Sequence, residues 1–314
     1  MKAFTLDTPS GFRLAAATQF YAGFTPGSGM AAAAVDTLTL AFTVDRSFEA
    51  VAVSLREEGR TLVAEMAGAG DEGTVRAQLA RMLGLEADGE AWRALGERVP
   101  FVGALQREFP GFFTATKASP YDAAVWAVIS PRLRLEQAAK IKMAIAAEHG
   151  TAVTLRGRVH HVFPSPEKLV RLESVRGLTD EKMERLRGVA LAALDGLLDA
   201  EGLRAMGEEE ALARLQALRG IGPWSAGHIY FRGAAPIDAL PTSEPRVLHG
   251  LAHASGVAVP DVEAFRRAAA SWRPFSMWVC VLLSRHLAKT DGWRAPALAR
   301  ERAAAGRTLA RRAG

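Results

Sequence analysis

The chain has 314 residues, 49% hydrophobic and 23% charged, a balance ordinary for a globular protein with a sizeable core and two or three compact domains. One cysteine, Cys280, excludes an intrachain disulfide and a four-cysteine iron–sulfur cluster, and no apolar run approaches the ~20 residues of a membrane span. Six Arg and one Glu after residue 293 account for the whole net charge of +5, so charge alone permits a polyanion partner without requiring one.

The first residues, Met1-Lys2-Ala3-Phe4, lack the apolar stretch of a signal peptide, so a cytoplasmic protein is expected. Residues 1–90 read as a mixed α/β domain. Residues 37–44 alternate in the strand manner, 48–55 form another candidate strand, and 61–66 follow a Glu58-Gly59-Arg60 turn. Gly68-Ala69-Gly70 is a loop, after which Asp71 or Glu72 starts a helix through Leu83, with Val75, Leu79 and Leu83 on one face. The expectation is a small antiparallel sheet with at least one helix packed on it.

Residues 91–295 read as helical. Segments 122–129 and 134–148 carry helical apolar spacing, and His149-Gly150 stops the second. Ser165-Pro166 starts a helix as N-cap and first helical residue. Thr179-Asp180 starts one reaching Leu198, and 207–218 another. Helices over 261–273 and 275–287 are separated by Pro274, and 296–314 is an Arg-rich tail. Cys280 lies within Trp278-Val279-Cys280-Val281-Leu282, which predicts a buried structural thiol rather than a nucleophile. His160-His161 has no acidic or cysteine partner at ligand spacing, so no side-chain metal site is expected.

The stretch 215–247, LQALRGIGPWSAGHIYFRGAAPIDALPTSEPRV, organises the rest. Gly220 and Gly222 flank one apolar residue and allow a tight turn that approaches another molecule closely. Pro223 suits the first turn of a helix, whose outward amides are suited to a phosphate.

A helix, a Gly-Ile-Gly hairpin, a second helix and then an acidic residue: this order resembles the helix-hairpin-helix DNA glycosylases, specifically the DNA-3-methyladenine glycosylase II (AlkA) type. Ser119-Pro120-Tyr121-Asp122, Phe163-Pro164-Ser165-Pro166, Gly177-Leu178-Thr179-Asp180 and Asp238-Ala239-Leu240-Pro241 match family phrases in the right order. The resemblance implies an α+β fold: a small antiparallel N-terminal sheet domain with a helix, followed by an all-helical helix-hairpin-helix region. It implies a partner, double-stranded DNA containing damaged bases, and an enzyme that flips out and excises alkylated purines. A monomer without cofactor, acting in the cytoplasm at the nucleoid, is expected.

Cleaving a glycosidic bond builds positive charge on the sugar, which a carboxylate stabilises. The residue at the family's catalytic Asp position is Glu244, with Asp238 as the competing carboxylate. The position where backbone-cutting relatives carry a Schiff-base Lys is Trp224, which predicts a glycosylase without lyase activity. Base-pocket candidates are Trp224, Tyr121, Trp126 and Trp278. DNA-contact candidates are Arg219, Gly220, Gly222, Ser225 and Arg246, with Arg232 and His249 as further backbone contacts. The duplex-penetrating wedge is Leu133 or Arg132, and the resemblance implies a monovalent cation at the carbonyls near Gly220 and Gly222. Two alternatives stay open: a DNA-binding protein that has lost catalysis, and a glycosylase with a shifted lesion range.

Overall fold

The computed structural model describes residues 1–23, 29–34 and 36–290. The predicted Arg-rich tail lies outside the described residues. The chain opens with β1 (Lys2–Asp7), α1 (Leu14–Gly23), β2 (Ala31–Ala34), β3 (Thr37–Thr43), β4 (Ala50–Glu58) and β5 (Thr61–Gly68). The strands form one antiparallel sheet of order β1-β5-β4-β3-β2. In β5 every second residue, Leu62, Ala64 and Met66, is buried, as a strand with one core face requires. The candidate strand at 48 begins instead at Ala50, because Arg46 and Phe48 have positive φ and belong to the turn before it. β1, β2 and α1 were not anticipated.

α2 (Glu72–Leu83) starts where predicted, with the Asp71 carboxylate accepting the Thr74 N–H at 2.8 Å, and buries Val75, Leu79 and Leu83. α3 (Gly89–Arg98) and α4 (Pro100–Glu108) follow, then α5 (Pro120–Ile129) and α6 (Leu135–His149). The predicted all-helical region is then interrupted by a hairpin, β6 (Thr151–Leu155) and β7 (Arg158–Val162). Arg156 and Gly157 both take positive φ, the conformation of a two-residue hairpin turn. Val153, Leu155 and Val162 pack against Ala41 and Ala52, and Arg156 Nε donates to Glu65 at 2.7 Å. The hairpin thereby covers the second face of the sheet. That is why central β4 buries Ala52 and Ser54 as well as Val51, Val53 and Leu55.

α7 (Pro166–Val170), α8 (Asp180–Leu194), α9 (Ala200–Ala205), α10 (Glu208–Gln216) and α11 (Pro223–Ile229) complete the approach to the hairpin region. α8 stops four residues short of the predicted Leu198, closed by the Leu197 N–H on Ala192 O at 2.9 Å. A π-helical turn, Tyr230–Ala234, follows α11, and then come α12 (Pro245–Ser255), α13 (Val262–Ala269) and α14 (Ser276–Thr290). The helix predicted to reach Arg273 ends at Ala269 and continues as a 3₁₀ turn, Ala270–Trp272. α5 is the pillar of the helical part: all its residues except Asp122 are buried, with α8, α11 and the π turn packed on it. Cys280 is buried in α14 and burial pushes its thiol pKa up, so it is a core thiol. Among the described residues no helix is long and apolar enough to cross a membrane.

Candidate functional site

The hairpin between α10 and α11 is built by its backbone. Leu218 O accepts the Ile221 N–H at 3.0 Å, and Gly220 holds φ at 84°, in the left-handed region that a side chain disfavours. Ile221 is buried and pins the turn to the core, while Gly220 and Gly222 stay at the surface. Gly222 caps α11 and Pro223 takes its first position, leaving the amides of Trp224 and Ser225 in the first turn. Arg219 is 79% exposed and paired with Glu184 of α8. The carbonyl of Gly222 already accepts the Ala226 N–H at 2.9 Å, so of the two glycines Gly220 is the better placed to offer a carbonyl to a cation.

Glu244 sits at the start of α12. Its side chain caps the helix, with Oε1 3.4 Å from the Arg246 N–H, and Pro245 takes the first helical position. Glu244 is half-buried and Arg246 is exposed on the first turn. The placement of α12 depends on Gly250: a Cβ there would come within 2.6 Å of Leu283 O, so a side chain would push α12 off α14. Asp238 is differently employed. Its two carboxylate oxygens accept from Arg273 Nε at 2.6 Å and Ser276 Oγ at 2.7 Å, which braces the loop against the start of α14. As a fallback for catalysis it is therefore encumbered, because attack on a sugar would require those two bonds to be released.

Of the four predicted pocket aromatics, the structure leaves one at the surface. Trp224 is 52% exposed, the sole aromatic among the large apolar side chains exposed in the described residues. Tyr121 is 1% exposed and its hydroxyl donates to Pro164 O at 2.9 Å, while its ring meets Phe48 and Phe163 edge-on. Trp126 is 2% exposed under the Lys117 ammonium. Trp278, also 2% exposed, is wedged among Trp92, Phe113 and Phe275. These three are core pillars, fixed by tertiary packing that spacing along the chain does not reveal.

Sequence reasoning missed His228, four residues after Trp224 and hence on the same face of α11. The two rings stack at 5.3 Å and 13°. His228 Nε2 is buried and has no hydrogen-bond partner among the described residues. Burial, with Lys117 and Arg232 nearby, lowers the imidazole pKa to about 3, so it is neutral at physiological pH. Beneath it lies a buried charge cluster: Asp122 accepts from Lys117 Nζ at 3.1 Å and from Lys142 Nζ. Burial drives the Lys117 pKa down to about 7, and the two ammonium groups hold the Asp122 carboxyl below its usual range. Arg232, expected as a surface phosphate contact, is instead half-buried: it donates to Ala115 O at 2.8 Å and burial lowers its pKa to about 10. His249 is exposed on α12.

The loop between α5 and α6 is a tight turn in which the Leu133 N–H donates to Ser130 O at 3.1 Å. Arg132 is exposed with φ 63°, whereas Leu133 packs partly against the core. Of the two wedge candidates the structure thus projects Arg132. No group of three or more potential metal-ligating side chains occurs among the described residues.

No family model matches the chain. A DNA-3-methyladenine glycosylase of Bacillus subtilis is 26% identical over 156 residues, 48% of this chain and 52% of that protein. A probable bifunctional transcriptional activator/DNA repair enzyme AlkA of Mycobacterium tuberculosis is 31% identical over 176 residues, 54% of this chain and 34% of that protein. The chain therefore spans about half or less of the length of these two relatives. Among solved structures, a 3-methyladenine DNA-glycosylase from Archaeoglobus fulgidus superposes with a TM-score of 0.75, covering 92% of this chain and 99% of that one at 20% identity. The fold is thus that of a known DNA glycosylase, as the resemblance implied.

Proposed function

From this fold, we propose that the chain is a DNA glycosylase of base excision repair that releases alkylated purines of the 3-methyladenine type and leaves an abasic site. The supporting observation is the pairing of a glycine-built backbone hairpin with Trp224, the single exposed aromatic among the described residues, one residue after its helix-starting proline. Glycosylases extrude their target nucleotide and read it by stacking, and an alkylated purine is a cation that stacks well on an indole face. The neutral His228 beneath Trp224 adds no repulsive charge to that platform.

Glu244 supplies the carboxylate. As the N-glycosidic bond breaks, its electron pair passes to the base and neutralises it, while positive charge develops at the sugar C1′. A carboxylate facing that carbon stabilises the charge and orients a water whose oxygen bonds to C1′; the water proton leaves to the carboxylate or to solvent. Arg219, Ser225, Arg246 and the amides after Gly222 hold the backbone, and Arg132 fills the gap left by the flipped nucleotide. The hairpin carbonyl of Gly220 offers a site for a monovalent cation. With Trp224 in place of an amine no imine forms, so backbone cleavage is not expected. The protein acts on double-stranded DNA as a monomer in the cytoplasm.

Incubating methylated duplex DNA with the protein and measuring free base tests this reading. Release of 3-methyladenine that Glu244→Gln abolishes supports it; duplex binding without release favours the reading of a DNA-binding protein that has lost catalysis. Full activity in Glu244→Gln would move the chemistry to another carboxylate.

A further inference from the structure

Helix α8 touches both halves of the proposed DNA face. On one side, Glu184 pairs with Arg219, and the Arg185 side chain lies so close to the hairpin that a Cβ on Gly220 would meet its Cδ at 2.7 Å. On the other side, Lys182 reaches across to the turn between α5 and α6. Its ammonium donates to Ile129 O at 2.6 Å and to Pro131 O at 2.9 Å. Between these carbonyls and the Leu133 amide bonded to Ser130 O sits Arg132, a non-glycine residue in the left-handed region. Such a conformation persists only where its surroundings over-determine it. Ser130 ends α5, so Ile129 O belongs to the last turn, whose carbonyls lack helical partners and favour a cation. One ammonium with three donors thus satisfies two acceptors that would otherwise turn to water and let the turn open.

We infer that Lys182 is a positioning residue for duplex penetration: it locks the 130–133 turn so that Arg132 projects toward DNA at a spacing from the hairpin set by α8. This rests on the proposed reading of the turn as the wedge. A purely structural role would weaken every function in step with folding. A positioning role separates entry into the duplex from contact with the backbone, because the hairpin phosphate contacts do not involve Lys182.

The test uses the full chain and a duplex carrying 2-aminopurine beside a methylated purine. The wild type is expected to raise the 2-aminopurine fluorescence as the stack opens. Lys182→Met, which keeps the length but removes all three donors, should bind the duplex within about threefold of wild type yet lose most of that rise. Its base release from duplex should fall on the order of tenfold, the scale of a small misplacement at a site, while release from single-stranded methylated DNA stays unchanged. Lys182→Arg should restore most of the fluorescence rise. Arg132→Ala, which leaves both carbonyl bonds intact, should likewise lose the fluorescence rise. Equal loss on duplex and single strand, or a normal fluorescence rise in Lys182→Met, overturns the inference. A wild type that opens the stack but releases no base removes the enzymatic reading and leaves this one standing.

Discussion

The hairpin at 218–226 and the loop at 238–247 lie close in sequence but are built by different means. The hairpin is a backbone object: its shape comes from Gly220 at φ 84°, the Leu218–Ile221 hydrogen bond and Pro223, and the groups proposed to meet DNA are amides. The loop is a side-chain object, in which the Glu244 carboxylate caps α12 through one long bond to the Arg246 N–H while Asp238 takes the bracing bonds to Arg273 and Ser276. A backbone device tolerates substitution of exposed side chains and binds any sequence, since phosphates carry no sequence information. A side-chain device depends on single atoms. Variants that strike one device should therefore spare the other.

The largest separation is expected between the two acids. Glu244→Gln should lower base release by about 100-fold or more, the range for loss of a general acid–base group, with duplex affinity unchanged. Asp238→Asn should do the reverse. It weakens two hydrogen bonds, one of them to a charged partner, and should lower unfolding free energy by about 1–3 kcal/mol, with base release per folded molecule nearly kept. Single-turnover release together with urea unfolding of both variants distinguishes them. Loss of chemistry in Asp238→Asn at unchanged stability would reverse the assignment.

Trp224 links the two devices, because it grows from the hairpin helix and is the residue proposed to meet the base. Trp224→Ala should cost about 1–3 kcal/mol in binding to lesion-containing DNA, the value of one stacked base, and much less with undamaged duplex. His228 beneath it gives a pH signature. Its folded pKa of about 3 lies below the unfolded value near 6.5, so as pH falls the unfolded chain takes up the proton first. Its contribution to stability is present above pH 6.5 and is lost as pH falls toward 3. His228→Phe should flatten that part of the stability profile. Because the imidazole stays neutral, base release between pH 5 and 8 should show no step that this substitution removes.

How much of this was legible along the chain follows the same division. The hairpin was legible because Gly-Ile-Gly-Pro encodes local conformation. The bracing of Asp238 was not, since its partners lie 35 and 38 residues away. The burial of Tyr121, Trp126 and Trp278 was not legible, because an aromatic in an apolar run reads alike whether it faces a cavity or a core. The β6–β7 hairpin carried a local sign, Arg156-Gly157 between two alternating runs, that the helical composition around it obscured. The Asp122 cluster, assembled from the α5 lead-in, α5 and α6, exists only once those segments are packed.

Gly220→Ala addresses the backbone device directly. A Cβ at φ 84° is strained by about 1–2 kcal/mol, so the hairpin should open and duplex affinity should fall by about tenfold. Release from saturating substrate should be less affected than release at low DNA concentration. A drop confined to the saturated rate would mean that the hairpin also shapes the chemical site.

The smallest effect carries an unusual sign. Arg219 is 79% exposed and held by Glu184, itself 54% exposed, so the pair contributes little to stability. To reach a phosphate, Arg219 must leave that carboxylate. Arg219→Ala should therefore weaken binding by less than about 1 kcal/mol and reduce the slope of log affinity against log salt by about 0.9, one phosphate contact. Glu184→Gln should do the opposite and tighten binding slightly, most at low salt, because it frees the guanidinium and removes a negative charge from the DNA face. Weaker binding by Glu184→Gln would instead mean that the carboxylate aims Arg219 at its phosphate, and the hairpin would then depend on a side chain after all.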